Sequence, residues 1–315
     1  MTQSHQSSSA TPSNEVSAHP CGTALVLGGG GSTGNAWLIG VIAGLAEAGS
    51  DVTAADLIIG TSAGSTTAAQ VSSASPAKLL ADILAAAPPP RTGPAGPDGG
   101  PVPARSAANY LERTGAIIAA AADAADMRRR MGAAALAMDA SSQGHAQARW
   151  RATVAARLPS PLWPQRRMLV TAVDARTGEP VVFDRDSGVD LVDAVAASCS
   201  SGFAYSIGGS SYIDGGYRSN ADNADLAAGC ARVLVLSPFG GRSRVPREWG
   251  MDLATQVDEL QARGSRVETI FPDSDSEHMF GASAMDLSMR PDAARAGYAQ
   301  GRSLAGQVTE LLAGT

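Results

Sequence analysis

Three short stretches hold residue types that together could open an ester. Ser62 stands in Gly60-Thr61-Ser62-Ala63-Gly64, directly after the apolar run Asp56 to Ile59. This G-x-S-x-G arrangement permits a tight strand-to-helix turn that lifts the hydroxyl clear of a sheet. A serine hydroxyl is a poor nucleophile and needs a base within reach and donors for a developing oxyanion. Gly28-Gly29-Gly30-Gly31 is a source of unencumbered backbone N–H groups for that purpose. For the base there are two candidates, Asp214 in Asp214-Gly215-Gly216 and His278 in the acidic run Asp273, Asp275, Glu277. Asp214 ends a short apolar stretch, and partial desolvation beside a serine raises a carboxyl pKa and improves it as a base. His278 would instead complete a Ser–Asp–His triad. The bland alternatives are a serine helix cap, a simple Asp-Gly-Gly turn and a solvated histidine.

The glycines also match G-x-G-x-x-G from Gly29 to Gly34, after a strand and before a helix, as a dinucleotide fingerprint does. That fold wants an acid at the end of the second strand for a ribose hydroxyl. Here the serine turn occupies that place and Asp56 lies at the strand's beginning, so the loop is read as an anion cradle.

Positioning these residues requires alternating strands and helices. Thr23 to Leu27 is a buried strand, Ser32 to Ala48 a helix stopped by Gly49, Asp56 to Ile59 a second strand and Ser65 to Ser73 a second helix. Such a βαβ unit is right-handed. Further strands are expected at Met168 to Val173, Pro180 to Phe183, Ser211 to Ile213, Arg232 to Leu236 and Val267 to Phe271. Helices are expected at Asp190 to Ala197, around Trp249 to Arg263 and at Pro291 to Ala313. The pattern predicts an α/β fold, three layers α/β/α with a mostly parallel central sheet. A tail of residues 1–21 precedes a single domain of residues 22–315; low hydrophobicity without periodicity marks the tail as disordered. Residues 88–108 are so rich in Pro and Gly that they read as a flexible loop. Residues 109–160 read as Ala-rich helices, either an inserted cap that gates an acyl channel or ordinary packing beside the sheet.

The chain has 315 residues, a net charge of −6 and a single lysine, Lys78, which argues against nucleic acid as a partner. Cys21, Cys199 and Cys230 are too scattered for a disulfide framework or metal cluster and are expected as free thiols in a reducing compartment. Residues 1–20 show no apolar signal-peptide core, and no run is long enough to span a bilayer, so a cytoplasmic location is expected. Contact with a membrane surface is compatible with that. No metal or other cofactor is expected.

Taken together, the glycine loop (Gly29 to Gly34), the serine turn (Gly60 to Gly64) and Asp214-Gly215-Gly216 resemble the patatin-like phospholipase family. The resemblance extends to Asp193 to Ser198, Gly202-Phe203 and Asn220, and covers roughly residues 23–237. It implies a lipid acyl hydrolase with a Ser–Asp dyad and no histidine. Ser62 would attack an acyl carbonyl, Asp214 would take its proton, and the N–H groups of Gly29, Gly30 and Gly31 would hold the oxyanion. A Ser–Asp–His esterase using His278 and a non-catalytic lipid-binding protein are the alternatives. The family often has Arg or Lys before the loop's last glycine, where this chain has Thr33. The resemblance therefore implies ester hydrolysis more strongly than phospholipid as the specific substrate.

Overall fold

The computed structural model describes residues 21–86, 104–139 and 145–313. The expected tail and residues 88–103 of the expected loop lie outside them. Continuous apolar runs become the inner strands: β1 (Cys21–Leu27), β2 (Leu57–Gly60), β3 (Arg167–Asp174) and β7 (Cys230–Leu236). With β4 (Pro180–Phe183), β5 (Tyr205–Ile207), β6 (Ser210–Asp214) and β8 (Arg266–Ile270) they make one eight-stranded sheet. Its order is β5-β6-β3-β2-β1-β7-β8, with β4 on the other edge of β3. The pairs β1–β2, β1–β7, β2–β3 and β7–β8 are parallel, and β4, β5 and β6 pair antiparallel.

Successive side chains of a strand point to opposite faces. Leu25 and Leu27 of β1 accordingly join one core with Ile58 and Leu234, while Ala24 and Val26 join another with Leu57 and Val233. Both faces are covered, which makes three layers. The first core is closed by α1 (Gly31–Glu47), α2 (Ala63–Val71), α3 (Pro76–Ala85), α6 (His145–Ala155), α7 (Leu191–Ser198) and α9 (Arg290–Ala313). The second is closed by α8 (Leu253–Ala262) and a short turn at Ala224–Ala227. In the expected insert, α4 (Ala104–Ala120) and α5 (Ala124–Asp139) bury Ile118, Met127 and Met131 against Val173 and Ile213. That is packing on the sheet extension formed by β3 and β6.

The helix α1 lies on α9 almost backbone to backbone. A Cβ on Gly40 or Gly44 would stand 2.2 Å from the carbonyl oxygen of Ala294 or Tyr298, and one on Gly301 2.2 Å from that of Val41. Trp37 fills the seam beside them and donates to Gln300.

Residues 76–85, for which no element was expected, form α3: Ser75 accepts the Lys78 N–H as a cap, Pro76 starts the helix, and Leu79 and Ile83 face the core. One expectation changes. Cys21 and Cys230 are not free thiols; they face each other in the β1–β7 register and form a disulfide, leaving Cys199 as the free cysteine. Spacing hid this pair, because its partners are 209 residues apart and meet only when the parallel strands align. The inference of a reducing compartment loses that support. Among the described residues no helix is long and apolar enough to cross a membrane.

Candidate active site

Strand β3 is the template that brings the two reactive stretches together. Its edge away from β4 first pairs with β2, ending at Gly60 opposite Val170, and then with β6, where Asp214 stands opposite Ala172. The two strands therefore approach end to end along one edge, about two strand residues or 7 Å apart. Ser62, two residues beyond Gly60, closes that gap.

The turn itself is tight. Ser62 has φ 52° and ψ −115°, an unusual conformation for a residue with a side chain. It is held because the chain doubles back on glycine: a Cβ on Gly64 would stand 1.9 Å from Leu27 O, and one on Gly60 2.5 Å from Ser65 Cα. The Ser62 N–H donates to Ser198 Oγ at 2.9 Å, and the Cys199 thiol approaches Ser62 O at 3.1 Å. Burial pushes that thiol up to about 11, so it is neutral at physiological pH.

Ser62 Oγ donates to Asp214 Oδ2 at 2.9 Å. The same oxygen accepts Ser201 Oγ at 2.6 Å, and Oδ1 accepts the Gly216 N–H at 2.8 Å. Asp214 is 5% exposed. Burial raises its pKa, while the donors Ser201, Gly216 and Ser62 pull it back. Tyr110 of α4 and Tyr217 share a short hydroxyl–hydroxyl bond. Burial raises the pKa of both phenols.

Asn223 links the two halves of the site. It is buried at φ 55°, and its Nδ2 donates to Thr61 Oγ1 at 2.9 Å and to Gly215 O at 3.0 Å. Asn220 shapes its turn by accepting the N–H groups of Asp222 and Asn223, both at 2.7 Å.

The glycine loop lies alongside, but not all of it is available. The Gly29 N–H is already committed to Ala221 O at 2.7 Å, which corrects the expectation that it would serve an oxyanion. The N–H groups of Gly30 and Gly31 have no acceptor among the described residues. Gly34, the last loop glycine, packs against Pro238 within α1. Thr33 is buried, its hydroxyl donating to Met279 O at 2.9 Å, so the segment 277–284 seals that position. Beneath the loop is Asp222, whose Oδ1 has no partner and would stand 2.1 Å from a Cβ on Gly28. Burial pushes this carboxyl up to about 7, opposed by a bond from Ser237.

His278 does not join this group. It is exposed on a turn, with its Nδ1 2.9 Å from Asp275 O, and contacts neither Ser62 nor Asp214. Among the described residues no three of His, Cys, Asp and Glu converge as a metal site. Ser198 lies in the stretch that carried the resemblance, without a role assigned to it; the sequence reading missed Ser201, Tyr110, Tyr217, Asp222 and Asn223.

A family model described as Patatin-like phospholipase matches residues 25–227. No curated protein matches the chain.

Proposed function

Given that this chain belongs to the patatin-like phospholipase family, we propose that it is a lipid acyl hydrolase in which Ser62 and Asp214 act as a dyad. The observation that carries this is the 2.9 Å hydrogen bond from Ser62 Oγ to a buried carboxylate at a strained turn. Ser62 Oγ attacks the acyl carbonyl carbon as its proton passes to Asp214. The oxygen that becomes negative is held by the N–H groups of Gly30 and Gly31. Collapse breaks the ester bond, and the departing alcohol takes the proton from Asp214. Water then attacks the acyl-enzyme, giving its proton to the same carboxylate, and the fatty acid leaves as Ser62 recovers its proton. The exposed environment of His278 gives no support to a triad. Residues 22–315 are taken as one domain, since α9 packs on α1.

The substrate brings the protein to a lipid surface. Met285 and Leu287, 66% and 50% exposed, lie on the segment whose Ala284 carbonyl touches the oxyanion loop at Gly31, and we assign them to that contact. Replacing both by Ser should reduce co-sedimentation with lipid vesicles while leaving hydrolysis of a water-soluble ester intact; equal sedimentation would rule out this contact.

The dyad is tested with an activated ester and a fluorophosphonate probe. Ser62→Ala should lose both hydrolysis and labelling. Asp214→Asn should lose about 10²- to 10⁴-fold in turnover, the usual worth of a positioned base. Both should keep the circular dichroism of the parent, and His278→Ala should turn over normally. Substantial hydrolysis by folded Ser62→Ala or Asp214→Asn would remove the dyad, and labelling without turnover would point to a non-catalytic role.

A further inference from the structure

The turn at residues 220–223 reaches three parts of the site. Ala221 O takes the Gly29 N–H at 2.7 Å, and Asn223 holds Thr61 and Gly215. Between them stands Asp222, the one ionisable side chain of the turn. It is 2% exposed, and its Oδ1 is buried with no hydrogen-bond partner among the described residues. A Cβ on Gly28 would lie 2.1 Å from that oxygen, so the carboxyl rests directly on the backbone of the glycine loop. A Cβ on Gly29, the next residue, would lie 3.6 Å from Ser62 Cβ. These contacts put the carboxyl within about 13 Å of Ser62.

A buried carboxyl without donors is costly as an anion, because nothing replaces the water it loses. Its neighbours supply no cation. The ends of β1 and β7 present Gly28, Leu236 O and the Ser237 hydroxyl, none of them charged. Just before its own turn, Arg218 is committed to Asp225 at 2.9 Å, and Asp214 is engaged by Ser62, Ser201 and Gly216. From α8 the neutral Gln256 amide reaches Ala224, while Asp252 caps that helix through Thr255. Burial therefore holds the Asp222 pKa up at about 7, opposed by Ser237.

The charge on this carboxyl bears on the reaction. The oxyanion is a negative charge held by Gly30 and Gly31, two and three residues along the same loop from Gly28. A neutral acid against the loop leaves the field of those donors intact, whereas a carboxylate repels the charge they must hold. At roughly 10 Å and the effective dielectric of a protein interior, that repulsion is worth about tenfold in rate.

We propose that Asp222 is a positioning residue that serves the glycine loop as a neutral acid, and that its ionisation weakens the loop's hold on the oxyanion and sets an alkaline limb on hydrolysis. It touches the loop and not the substrate. The proposal rests on the acyl-hydrolase reading and adds what limits that activity at high pH. Two carboxyls then bound the profile from opposite sides: Asp214 must be ionised and Asp222 must not.

The test is the pH profile of kcat/KM for a neutral, water-soluble ester, 4-nitrophenyl butanoate, from pH 6 to pH 9 at a temperature where the proteins are folded. In the parent kcat/KM should fall about tenfold through a midpoint near 7. Asp222→Asn keeps the volume and removes the charge, so the ratio of variant to parent should rise about tenfold across that range. A role in packing alone would change the ratio by one factor at every pH, and a constant ratio would overturn the proposal. Ser237→Ala removes the hydroxyl that favours the ionised form, so its alkaline limb should move to higher pH. That variant decides the matter should Asp222→Asn fail to fold, and an unmoved limb would overturn the proposal. If the parent hydrolyses no ester, the hydrolase reading fails, and the loop is read by NMR on ¹⁵N-glycine-labelled protein. The Gly30 and Gly31 amides should titrate with a midpoint near pH 7 in the parent and not in Asp222→Asn. Amides that do not titrate, or that titrate alike in both proteins, would overturn the coupling of Asp222 to the loop.

Discussion

Ser62 occupies a backbone region that costs about 1–3 kcal/mol, and such strain persists only where the surroundings over-determine it. Here they are the Ser198 hydroxyl on its N–H and the two glycines that let α2 crowd β1. The proposed base is held as closely. In the proposed dyad Asp214 must be ionised to accept the Ser62 proton, so its pKa should set the acid limb of the activity profile. Ser201 stabilises the ionised form, and removing that donor raises the pKa. Ser201→Ala should therefore move the acid limb of kcat/KM to higher pH. A superimposable pH profile for Ser201→Ala would show that the bond does not tune the base. Asp222 titrates in the same sense and also acts on stability. Its pKa is raised to about 7 in the folded protein, so the folded state binds the extra proton. The stability is fully present below the unfolded carboxyl value and is lost as pH rises through about 7. Asp222→Asn should thus melt higher than the parent at pH 8, with the gap closing below pH 5; a parallel pair of melting curves across that range would contradict the assignment. Ser62 and Asp214 were legible in the sequence because each sits in a short motif with the right flanks. Ser201, Tyr110 and Asn223 were not, because their roles come from hydrogen bonds to residues distant in the chain. The commitment of the Gly29 N–H was invisible for the same reason, since Ala221 enters from the far side of the loop.

At the scale of elements, the strands that carry the site were readable from short apolar stretches, β2 from Asp56 to Ile59 and β6 from Ser211 to Ile213. The three-residue β5 was not, nor was α3, with only Leu79 and Ile83 fully buried. Which strand edge each would use was also beyond the sequence. That edge is what matters, because sharing β3 between β2 and β6 sets the Ser62–Asp214 distance. The helix pair α1–α9 has a similar dependence on close approach. A methyl on Gly44 would meet Tyr298 O, a backbone atom that cannot swing aside. Gly44→Ala should cost about 1–3 kcal/mol, as overpacking does. Activity should fall along with the melting temperature, because α1 begins at the glycine loop proposed to hold the oxyanion. An unchanged melting temperature would mean that the helices can separate freely.

For the whole molecule, the disulfide joins the two central strands β1 and β7 at the end opposite the site. Cys21 and Cys230 lie six residues before Leu27 and Leu236, where the reactive loops begin, about 20 Å along the strands. The bond spans 209 residues, and a crosslink of that length restricts the unfolded chain by up to about 5 kcal/mol. The double variant Cys21→Ser with Cys230→Ser should unfold at lower denaturant concentration than the oxidised parent yet keep its kcat. Equal midpoints would show that the bond adds nothing. The glycine seam has a consequence of another kind, one of order. Arg290 reaches Ser32, beside the loop proposed to hold the oxyanion, across 258 residues of chain. That side of the loop is therefore braced only in molecules whose α9 has docked on α1.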